Sequence, residues 1–304
     1  MSFQRKNIKL LVIGNSVVDT IDFNGEIKTK PGGIFYTVTA LNNFKENQDK
    51  ISLVTAVDKK HYLLFKDEYE KLDGKIFNYV ESIPKVWLKV EKHSERHEKY
   101  ENINQNISFN IKDLNSYDGI LINMITGFDI TLEQLKDIRK NYEGLIYFDV
   151  HTFSRGLDED FKRRFRVIPR FKEWASNLDI VQVNKNELFT LSDKKNEEAI
   201  INEVLDHGIK YLIVTLEEKG AKVFFKENNV LKNFHESAIT VNIKNKVGCG
   251  DVFGAVFFYS YISQGYKSIN KALQLANLAA GYTASYAEIS EFINLKKDVF
   301  SRYN

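Results

Sequence analysis

Cysteine is almost absent from this sequence, since Cys249 is the one cysteine among 304 residues. A disulfide bond within the chain is therefore excluded. The sequence also lacks a run of about 20 apolar residues, the length that a helix needs to cross a membrane. The N-terminus is polar and basic, and the apolar stretch after it is too short for a signal peptide. We therefore expect a cytoplasmic protein without a membrane partner.

The net charge is small as well, because 43 lysines and arginines nearly balance 41 aspartates and glutamates to give +2. Proteins that bind nucleic acid or an anionic membrane usually carry a clear basic excess. We therefore expect neither as the main partner. Hydrophobic residues make up 43% of the chain, which is enough for the core of one large α/β domain spanning residues 1–304.

Several well-known functional motifs are missing. The sequence contains no Gly-x-x-x-x-Gly-Lys-[Ser/Thr] loop, no His-Glu-x-x-His pair and no Gly-x-Gly-x-x-Gly after the first strand-like segment. These absences argue against P-loop kinases, against zinc proteases of the His-Glu-x-x-His class and against the common dinucleotide-binding fold.

The hydrophobic pattern alternates between short buried strands and amphipathic or apolar helices. This alternation predicts a mainly parallel sheet that is covered by helices on both faces. The pattern places strands at residues 8–13, 51–57, 119–124, 145–150, 180–183, 211–215, 221–225 and 240–243, and helices at 34–44, 61–72, 132–141, 196–206, 252–263 and 269–287.

Two further regions alternate apolar and polar residues, which indicates half-exposed strands. Residues 19–29 surround Asn24-Gly25, a dipeptide typical of tight hairpins. Residues 85–92 and 98–109 show the same alternation. We expect these regions, approximately 19–31 and 85–109, to form a small β-sheet lid beside the main sheet.

The glycine-rich segment Gly248-Cys249-Gly250-Asp251 precedes an unbroken apolar helix. A glycine-rich turn at a helix N-terminus presents unpaired N–H groups, and the helix dipole adds positive potential there. Such a turn suits a phosphate, or the charge on a phosphoryl group during transfer. Asp251 could accept a proton from an attacking hydroxyl. An ordinary glycine turn before a helix explains the same pattern.

A second group of candidate residues follows the first strand. Gly14-Asn15 ends that strand, Asp19 lies just beyond it, and Gly32-Gly33 follows the hairpin. Open α/β sheets bind ligands beyond the carboxyl ends of their strands. Adjacent glycines let the backbone approach a ligand closely. A surface aspartate and a plain turn remain the alternative.

The strand at 180–183 is followed directly by Asn184 and, three residues later, Glu187. Their side-chain oxygens suit Mg²⁺ held through its water molecules. The same spacing also fits a helix N-cap with a capping glutamate, and the sequence leaves both interpretations open. The turn Thr215–Gly220 between two strands is a candidate border for a nucleotide, or a plain hairpin connection.

Two further clusters are weaker candidates. His93 and His97 are four residues apart, but the surrounding pattern is strand-like and separates them too far to share one metal ion. A turn of the lid exposed to solvent is the favoured interpretation. Arg163, Arg164 and Arg166 form a basic cluster that we expect on a solvated face rather than in a ligand site.

The order of these features resembles the ribokinase-like (PfkB) carbohydrate kinase family, from residue 10 to about residue 287. The strongest part of the resemblance is segment 245–255, which looks like the C-terminal signature of that family. Each remaining feature is short, but they occur in the family's order and spacing: Gly32-Gly33, Asn184 with Glu187, and the strand–turn–strand around 215–220.

The resemblance implies a three-layer α/β/α fold with a mainly parallel sheet and a β-sheet lid. It also implies transfer of the γ-phosphoryl group of ATP to a hydroxyl of a small sugar or sugar-like acceptor, with Mg²⁺ as cofactor. The site residues that it implies are Asp251 as catalytic base, with Gly248, Cys249 and Gly250 as anion hole; Asp19, Gly32, Gly33 and Thr37 for the substrate; Asn184, Thr215, Glu217, Gly220 and Asn277 for the nucleotide; and Glu187 for Mg²⁺ through water.

The sequence departs from the family pattern at several positions. Thr37 stands where many sugar kinases of the family have asparagine, and Glu217 stands where the family usually has glycine. Asn245 replaces the usual aspartate at the start of the signature, a residue associated with activation by monovalent cations, so we do not predict a dependence on potassium. Cys249 replaces the usual alanine, which a hole built from backbone N–H groups tolerates. Asp149-Val150-His151 replaces the more common aspartate-proline-asparagine run.

Two alternatives to a sugar kinase follow from the same residues. A nucleoside kinase of the same fold is one, because the base of a nucleoside would stack on Phe35-Tyr36 beside the double glycine. A binding or regulatory protein with little catalysis is the other, because of Thr37, Glu217 and Asn245. We also expect a homodimer through the exposed lid sheet, whose edges are suited to strand pairing.

Overall fold

The described residues form a large sheet, a small four-stranded sheet and a two-stranded hairpin, together with nine helices. The structure, a computed structural model, describes residues 6–23, 26–90, 97–103, 106–157 and 163–303. The strands of these residues are β1 (Lys9–Ile13), β2 (Ser16–Phe23), β3 (Glu26–Gly33), β4 (Lys50–Val57), β5 (Gly74–Tyr79), β6 (Lys85–Val90), β7 (His97–Glu101), β8 (Gly119–Asn123), β9 (Leu145–Asp149), β10 (Arg155–Leu157), β11 (Arg163–Phe165), β12 (Ile180–Asn184), β13 (Tyr211–Thr215), β14 (Ala221–Glu227) and β15 (Val230–Glu236).

The helices follow the strands in the alternating order that the sequence predicts. They are α1 (Phe35–Phe44), α2 (Lys66–Tyr69), α3 (Leu132–Lys140), α4 (Phe171–Ala175), α5 (Lys185–Leu188), α6 (Glu197–Asp206), α7 (Cys249–Ser263), α8 (Ile269–Ser285) and α9 (Leu295–Tyr303). Short 3₁₀ turns lie between them, including Tyr62–Leu64, His151–Ser154 and Glu217–Lys219. None of the described helices is both long enough and apolar enough to cross a membrane.

The large sheet has nine strands in the order β15-β14-β13-β12-β9-β8-β1-β4-β5. The seven strands from β13 to β5 in this order pair in parallel. The last two strands, β14 and β15, pair antiparallel at one edge. Because the parallel strands run in the same direction, their carboxyl ends meet at one edge of the sheet, where ligands of open α/β sheets bind.

Helices cover both faces of this sheet, as the alternation along β1 illustrates. Leu10 and Val12 pack into one core with α1, α7, α8 and α9. Leu11 and Ile13 pack into a second core with α3, α4, α5 and α6. Successive side chains of a strand point to opposite faces, so an unbroken apolar strand fills two cores at once. The three-layer arrangement predicted from the sequence is therefore confirmed.

Helix α7 is the most deeply buried helix that carries a candidate residue. Its side chains from Asp251 to Ile262 are buried, and it packs against α1, α8 and β8. A helix that is apolar on all sides is stable when protein surrounds it on all sides. This packing fixes the position of the N-terminus of α7 against the carboxyl edge of the large sheet.

The lid is a four-stranded sheet in the order β3-β2-β6-β7. β2 and β3 form the predicted hairpin, and β6 pairs with β2 in parallel and with β7 antiparallel. The hairpin residues Asn24 and Gly25 lie outside the described residues. The predicted lid is confirmed, although its second part is shorter than expected: β7 ends at Glu101, and residues 106–112 form no strand.

Two other predicted elements were wrong. The helix expected at 61–72 is a 3₁₀ turn followed by the single turn of α2. Residues 240–243 form no strand. The sequence prediction also missed β5, β15, α9 and the short β10–β11 hairpin, which are polar or half-exposed and lack a strong apolar period.

Candidate active site

Polar side chains end three neighbouring strands of the large sheet. Asn123, Asp149 and Asn184 are the last residues of β8, β9 and β12, which lie side by side. Asn123 and Asp149 are direct register partners. A polar residue that ends an otherwise buried strand is the sequence signal that could have identified Asn123, which our sequence analysis missed.

Asp251 lies in the first turn of α7, opposite these strand ends. Its side chain is buried, and its Oδ1 accepts a hydrogen bond of 2.7 Å from Nδ2 of Asn123. Burial raises the pKa of Asp251 to about 7, the hydrogen bond from Asn123 opposes this rise, and the charges of Asp19 and Glu187 add to it. A carboxyl group with a pKa near neutrality suits general-base catalysis.

The glycine turn before Asp251 has a shape that only glycine allows at its first position. Gly248 adopts a φ of 81°, and a Cβ at this position would lie 2.4 Å from Cδ1 of Tyr36. The backbone therefore passes directly against the Tyr36 ring. As the first residues of α7, Cys249, Gly250 and Asp251 have no preceding helical turn to accept their N–H groups. These N–H groups lie together at the glycine turn, as the prediction of an anion-binding turn requires.

Gln182 connects the glycine turn to the strand ends. Its Nε2 donates to Asp149 Oδ2 at 3.0 Å and to the carbonyl oxygen of Gly250 at 3.1 Å. Its Oε1 accepts a hydrogen bond from the hydroxyl of Tyr147. Gln182 is buried within β12, so the sequence signal for it was a single amide inside an apolar strand. This network fixes the start of α7 relative to Asp149.

The structure brings Asp19 and the double glycine to the same place. A Cβ on Gly32 would lie 2.3 Å from Asp19 Oδ2, so the carboxylate lies directly over this glycine. Gly33 adopts a φ of 64°, and a Cβ there would lie 2.5 Å from the carbonyl oxygen of Asn15. Both glycines are therefore required by close contacts. The charge of Asp19 contributes to the raised pKa of Asp251, so the two carboxylates face one region.

Asn15 belongs to a second polar network that the sequence analysis did not identify. Its backbone N and its Nδ2 both donate to Asp129 Oδ1 at 2.9 Å. Asp129 is fully buried and also accepts from the backbone N of Thr126. Burial raises the pKa of Asp129 against these hydrogen bonds. The network joins the ends of β1 and β8 beside the lid.

Residues of α1 lie next to the double glycine. Thr37 is fully buried, and its Oγ1 has no hydrogen-bond partner among the described residues. Phe35 packs against Phe65 and Tyr69 and belongs to the core. Tyr36 instead contacts Gly248, and burial raises its pKa, with a further contribution from the charges of Asp19 and Asp251. Of the predicted aromatic pair, Tyr36 alone therefore lies at the site.

The capping interpretation of Asn184 and Glu187 is confirmed. Asn184 Oδ1 accepts from the backbone N of Glu187 at 2.9 Å, and Glu187 Oε2 accepts from the backbone N of Asn184 at 2.8 Å. Burial nevertheless raises the pKa of Glu187 to about 7. Burial together with the charges of Glu187 and Asp251 holds the pKa of Asp149 well above its usual range. Three acidic side chains thus share the carboxyl edge of the sheet.

These acidic residues suit a hydrated Mg²⁺ ion rather than direct ligation. No group of three or more His, Cys, Asp or Glu side chains among the described residues is arranged to hold a metal ion directly. One carboxylate oxygen of Glu187 is engaged in the helix cap, and Asp149 Oδ2 accepts from Gln182. The mutual repulsion of Asp149, Glu187 and Asp251 would be relieved by a nearby cation. The residues therefore fit a metal that keeps several of its waters.

The predicted nucleotide residues lie further along the same edge of the sheet. Thr215 ends β13 and pairs with Ala221 across the turn, so the predicted strand–turn–strand is confirmed. A Cβ on Gly220 would lie 1.9 Å from the carbonyl oxygen of Glu236, which explains the glycine there. Asn277 of α8 donates through Nδ2 to the carbonyl oxygen of Ser237 at 2.6 Å. Gly220 and Asn277 thus border the chain segment that follows β15.

Glu217, one of the residues that depart from the family pattern, adopts a φ of 52° and is exposed. Glycine enters this left-handed region without strain, which is a physical reason for the family's usual glycine there. At the start of the signature, Asn245 Oδ1 accepts from the backbone N of Val247 at 3.0 Å and so forms a turn. Burial raises the pKa of Cys249 to about 11, so its thiol stays protonated near neutral pH.

The structure tests the arginine cluster at 163–166 but not the histidine pair His93 and His97. His93 lies outside the described residues, so the histidine pair is not described. Arg164 and Arg166 are exposed, as expected. The prediction that Arg163 lies on a solvated face was wrong, because Arg163 is partly buried and its Nη2 donates to the carbonyl oxygen of Thr126 at 2.7 Å. The strand pairing of β10 with β11 turns this side chain inwards.

Comparison with known proteins agrees with this geometry. Residues 143–293, which include β9, β12, β13 and the whole of α7, match the model of the pfkB family carbohydrate kinases. The chain belongs to the pfkB carbohydrate kinase family. An ATP-dependent 6-phosphofructokinase of Thermoanaerobacterium thermosaccharolyticum is 26% identical over 156 residues, which are 51% of this chain and 45% of that protein. The match thus spans about half the length of this curated pfkB relative.

Solved structures share the fold over nearly the whole chain. The ribokinase of Arabidopsis thaliana in complex with ribose and ATP superposes with a TM-score of 0.75 at 17% identity, covering 97% of this chain and 98% of that chain. The adenosine kinase of Sinorhizobium meliloti gives a TM-score of 0.74 at 15% identity, covering 98% of this chain and 100% of that chain. These similarities show that this pfkB family member has the ribokinase-like fold.

Proposed function

We propose that this protein is an ATP-dependent kinase that phosphorylates a hydroxyl of a small sugar or sugar-like acceptor, with Asp251 as the general base. The observation that carries the proposal is the position of Asp251. It is a buried carboxylate with a pKa of about 7 at the N-terminus of a long buried helix, directly after a glycine turn. A base and an anion-binding turn are thus side by side, as phosphoryl transfer to an alcohol requires.

Asp251 takes the proton of the acceptor hydroxyl as the oxygen attacks phosphorus. Its high pKa makes it a stronger base than an exposed carboxylate, and near pH 7 a substantial fraction is ionised. The hydrogen bond from Asn123 fixes the orientation of the carboxylate. Asp19, above Gly32, holds acceptor hydroxyls on the opposite side.

The turn 248–251 stabilises the charge that develops on the transferred phosphoryl group. The free N–H groups at the start of α7 point out of the helix end, and the dipole of a fifteen-residue helix adds to their effect. Gln182 holds the carbonyl oxygen of Gly250 at 3.1 Å and so keeps this turn rigid. A rigid turn needs no reorganisation during the reaction.

The nucleotide would be bordered by Asn184, Thr215, Glu217, Gly220 and Asn277. Glu187 and Asp149 would hold Mg²⁺ through its water molecules. When bound, Mg²⁺ neutralises phosphate charge on the nucleotide. The order of these residues along the sheet supports the division of the site, since β12, β13 and β14 follow one another on the side of Asp251 away from β1. Acceptor and nucleotide then approach Asp251 from opposite sides.

The acceptor is either a sugar or a nucleoside. The relatives are a phosphofructokinase, a ribokinase and an adenosine kinase. Tyr36 lies at the glycine turn and would offer one aromatic face to a base, whereas Phe35 is occupied in the core. Thermal shifts with adenosine, ribose and fructose, each measured with and without ATP and Mg²⁺, separate the two classes. Dimerisation through the lid stays a prediction, which sedimentation of the intact protein tests.

Asp251→Asn is the test of the mechanism. The variant should lose about two or more orders of magnitude in kcat, as expected for removal of a general base. It should keep the thermal shift that ATP induces. Asp137→Asn, at an exposed position of α3, is the matched control and should retain full activity. Near-normal turnover in Asp251→Asn would exclude Asp251 as the base. A protein that binds ATP and sugars but never transfers phosphate would favour the regulatory alternative.

A further inference from the structure

Two arginines of the short β10–β11 hairpin have no role in the proposed function. Arg155 begins β10 and Arg163 begins β11, and the two strands pair antiparallel with Leu157 opposite Arg163. The hairpin follows the turn at His151, which comes directly after the end of β9. It therefore stands beside the carboxyl edge of the large sheet, next to Asp149.

The guanidinium group of Arg163 is held in a fixed place, and no carboxylate among the described residues forms an ion pair with it. Nη2 donates to the carbonyl oxygen of Thr126 at 2.7 Å, and Nη1 donates to that of Arg155 at 3.3 Å. The group lies over the ring of Tyr100 at 4.9 Å from its centroid. Its Nε is buried and has no partner among the described residues. A positioned cation with an unused donor is expensive to bury unless a ligand completes it.

Arg155 likewise has a buried N–H donor, its Nε, without a partner among the described residues. Its guanidinium lies 4.8 Å from the ring centroid of Phe165. In the described part of the chain, no aspartate or glutamate forms an ion pair with Arg155 or Arg163. By contrast, Arg139 and Arg170 each pair with a carboxylate. The charge of Asp129 acts on Arg163, and the charge of Arg155 acts on Glu187, but these contacts are not ion pairs. Among the described residues the two neighbouring cations therefore keep N–H donors that an anionic ligand could use.

His151 adds a polar side chain to this cluster, close enough for the charges of Arg155 and Arg163 to act on it. Its φ of 39° is unusual for a residue other than glycine, and its Nδ1 is 2.7 Å from Oγ1 of Thr152. Strained backbone of this kind is typical of binding sites. His151 thus supplies a further hydrogen-bonding group beside the arginines.

The lid relates Arg163 to the acceptor. Asp19 pairs with Val86, and Val86 pairs with Tyr100, so these three residues lie in one line across β2, β6 and β7. Side chains in register on paired strands share one face of a sheet. Two strand spacings separate Asp19 from Tyr100, which is about 10 Å. Since Arg163 lies under Tyr100, it faces the same space as Asp19, about one sugar length away.

We propose that Arg163, assisted by Arg155, binds an anionic group of the acceptor at the end remote from the hydroxyl that is phosphorylated. The acceptor is then a sugar phosphate or a sugar acid rather than a neutral sugar. This inference rests on the proposed kinase function and narrows its substrate class. Arginine N–H donors in a site that is shielded from water bind phosphate and carboxylate groups alike.

The nucleotide phosphates are the competing anion, and the position of Arg163 argues against them. Arg163 contacts Thr126 and Phe128, in the segment that follows β8, and the proposed nucleotide residues follow β12 and β13. In the sheet, β9 separates β8 from β12. Arg155 lies nearer to that boundary, because its charge opposes the burial that raises the pKa of Glu187. We therefore assign the main role to Arg163.

The experiment compares three acceptors with one carbon skeleton. Fructose carries no anion, fructose 6-phosphate carries a phosphate and 2-ketogluconate carries a carboxylate. The wild-type protein should phosphorylate one of the two anionic compounds with a kcat/KM at least 10-fold above that of fructose, and that compound should raise Tm without ATP. Arg163→Met should lower that kcat/KM by about 10- to 100-fold, which is the effect of losing one charged hydrogen bond. The kcat/KM for fructose should stay within about 3-fold of the wild-type value.

Two further variants control the result. Arg164→Met removes the same charge from the adjacent position of β11, whose side chain points to the other face of the hairpin, and should leave the preference intact. Arg163→Lys keeps the charge and should recover part of the preference. Ribose and ribose 5-phosphate extend the comparison to five-carbon acceptors. The measurements with fructose 6-phosphate and with 2-ketogluconate show whether the bound anion is a phosphate or a carboxylate.

Three outcomes would overturn the inference. One is a wild-type protein that prefers neutral acceptors in both turnover and Tm. Another is a loss in Arg163→Met that is equal for neutral and anionic acceptors and appears as a raised KM for ATP, which would assign Arg163 to the nucleotide. The third is an anion preference that Arg163→Met retains. In each case the proposed kinase function would still hold if the protein showed an ATP-dependent activity that Asp251→Asn abolishes.

Discussion

Nδ2 of Asn123 donates a 2.7 Å hydrogen bond to Oδ1 of Asp251, across 128 residues of sequence. The same side chain leaves its Oδ1 buried and without a partner among the described residues. Asn123 therefore contributes one good hydrogen bond to the ionised carboxylate and carries one unsatisfied acceptor. Its value to the protein lies in the orientation and ionisation of Asp251 rather than in stability.

Asn123→Leu should change the pH dependence of the reaction. Without the hydrogen bond, the pKa of Asp251 rises further, so the acidic limb of the kcat profile should move up by about one pH unit. At pH 9, where Asp251 is ionised in both proteins, kcat should return to within about 5-fold of the wild type. The unfolding free energy should change little, because the substitution also removes an unsatisfied buried oxygen. An unshifted limb would rule out this positioning role.

Asp251 should make the protein less stable as the pH rises. Its pKa is about 7 in the folded protein and near 4 when exposed, so the folded state binds more protons between these values. Stability is then lost as the pH rises from about 4 through 7. Asp251→Asn should be more stable than the wild type by about 1–3 kcal/mol at pH 8, and the difference should shrink towards pH 4. Urea unfolding at both pH values measures this, and a variant less stable at pH 8 would contradict it.

Gly248→Ala should damage the protein in two separable ways. The φ of 81° strains any residue with a Cβ, and that Cβ would also collide with the Tyr36 ring. Gly265→Ala is the matched control, since Gly265 has a φ of 63° but no atom nearer than 4.0 Å. The control should cost about 1 kcal/mol in unfolding free energy, and Gly248→Ala should cost about 2–4 kcal/mol with loss of activity. Equal costs would show that the contact with Tyr36 is unimportant.

Glu187→Gln should separate the helix cap from the metal. The amide oxygen of glutamine still accepts from the backbone N of Asn184, so the cap and the unfolding temperature should be kept. The negative charge that holds hydrated Mg²⁺ is lost, so the Mg²⁺ concentration for half-maximal activity should rise about 10-fold or more. Asn196→Ala removes the cap of α6, away from the site, and should lower stability without this effect. An unchanged Mg²⁺ requirement would leave Glu187 a purely structural residue.

The local sequence patterns predicted much of the fold and part of the site. Most strands of the large sheet followed from their apolar runs, and the hairpin β2–β3 from its alternation, whereas the edge strands β5 and β15 did not. The glycine turn before α7 and the cap at Asn184 are also local, because their hydrogen bonds join residues three or four apart. Local pattern alone was insufficient elsewhere: residues 240–243 have a strand-like pattern but form no strand, since strand formation needs pairing that a local pattern does not record.

The sequence by itself therefore determined most of the buried strands and helices, the glycine turn and the choice of Asp251 as the candidate base, since these depend on neighbours along the chain. The tertiary structure alone decided which side chains surround Asp251. Asn123 reaches Asp251 from β8, and Gln182 and Tyr36 reach the glycine turn before it from β12 and α1; no local pattern records such contacts. Burial likewise belongs to the folded protein: it raises the pKa of Asp251 to about 7, because desolvation disfavours its charged form.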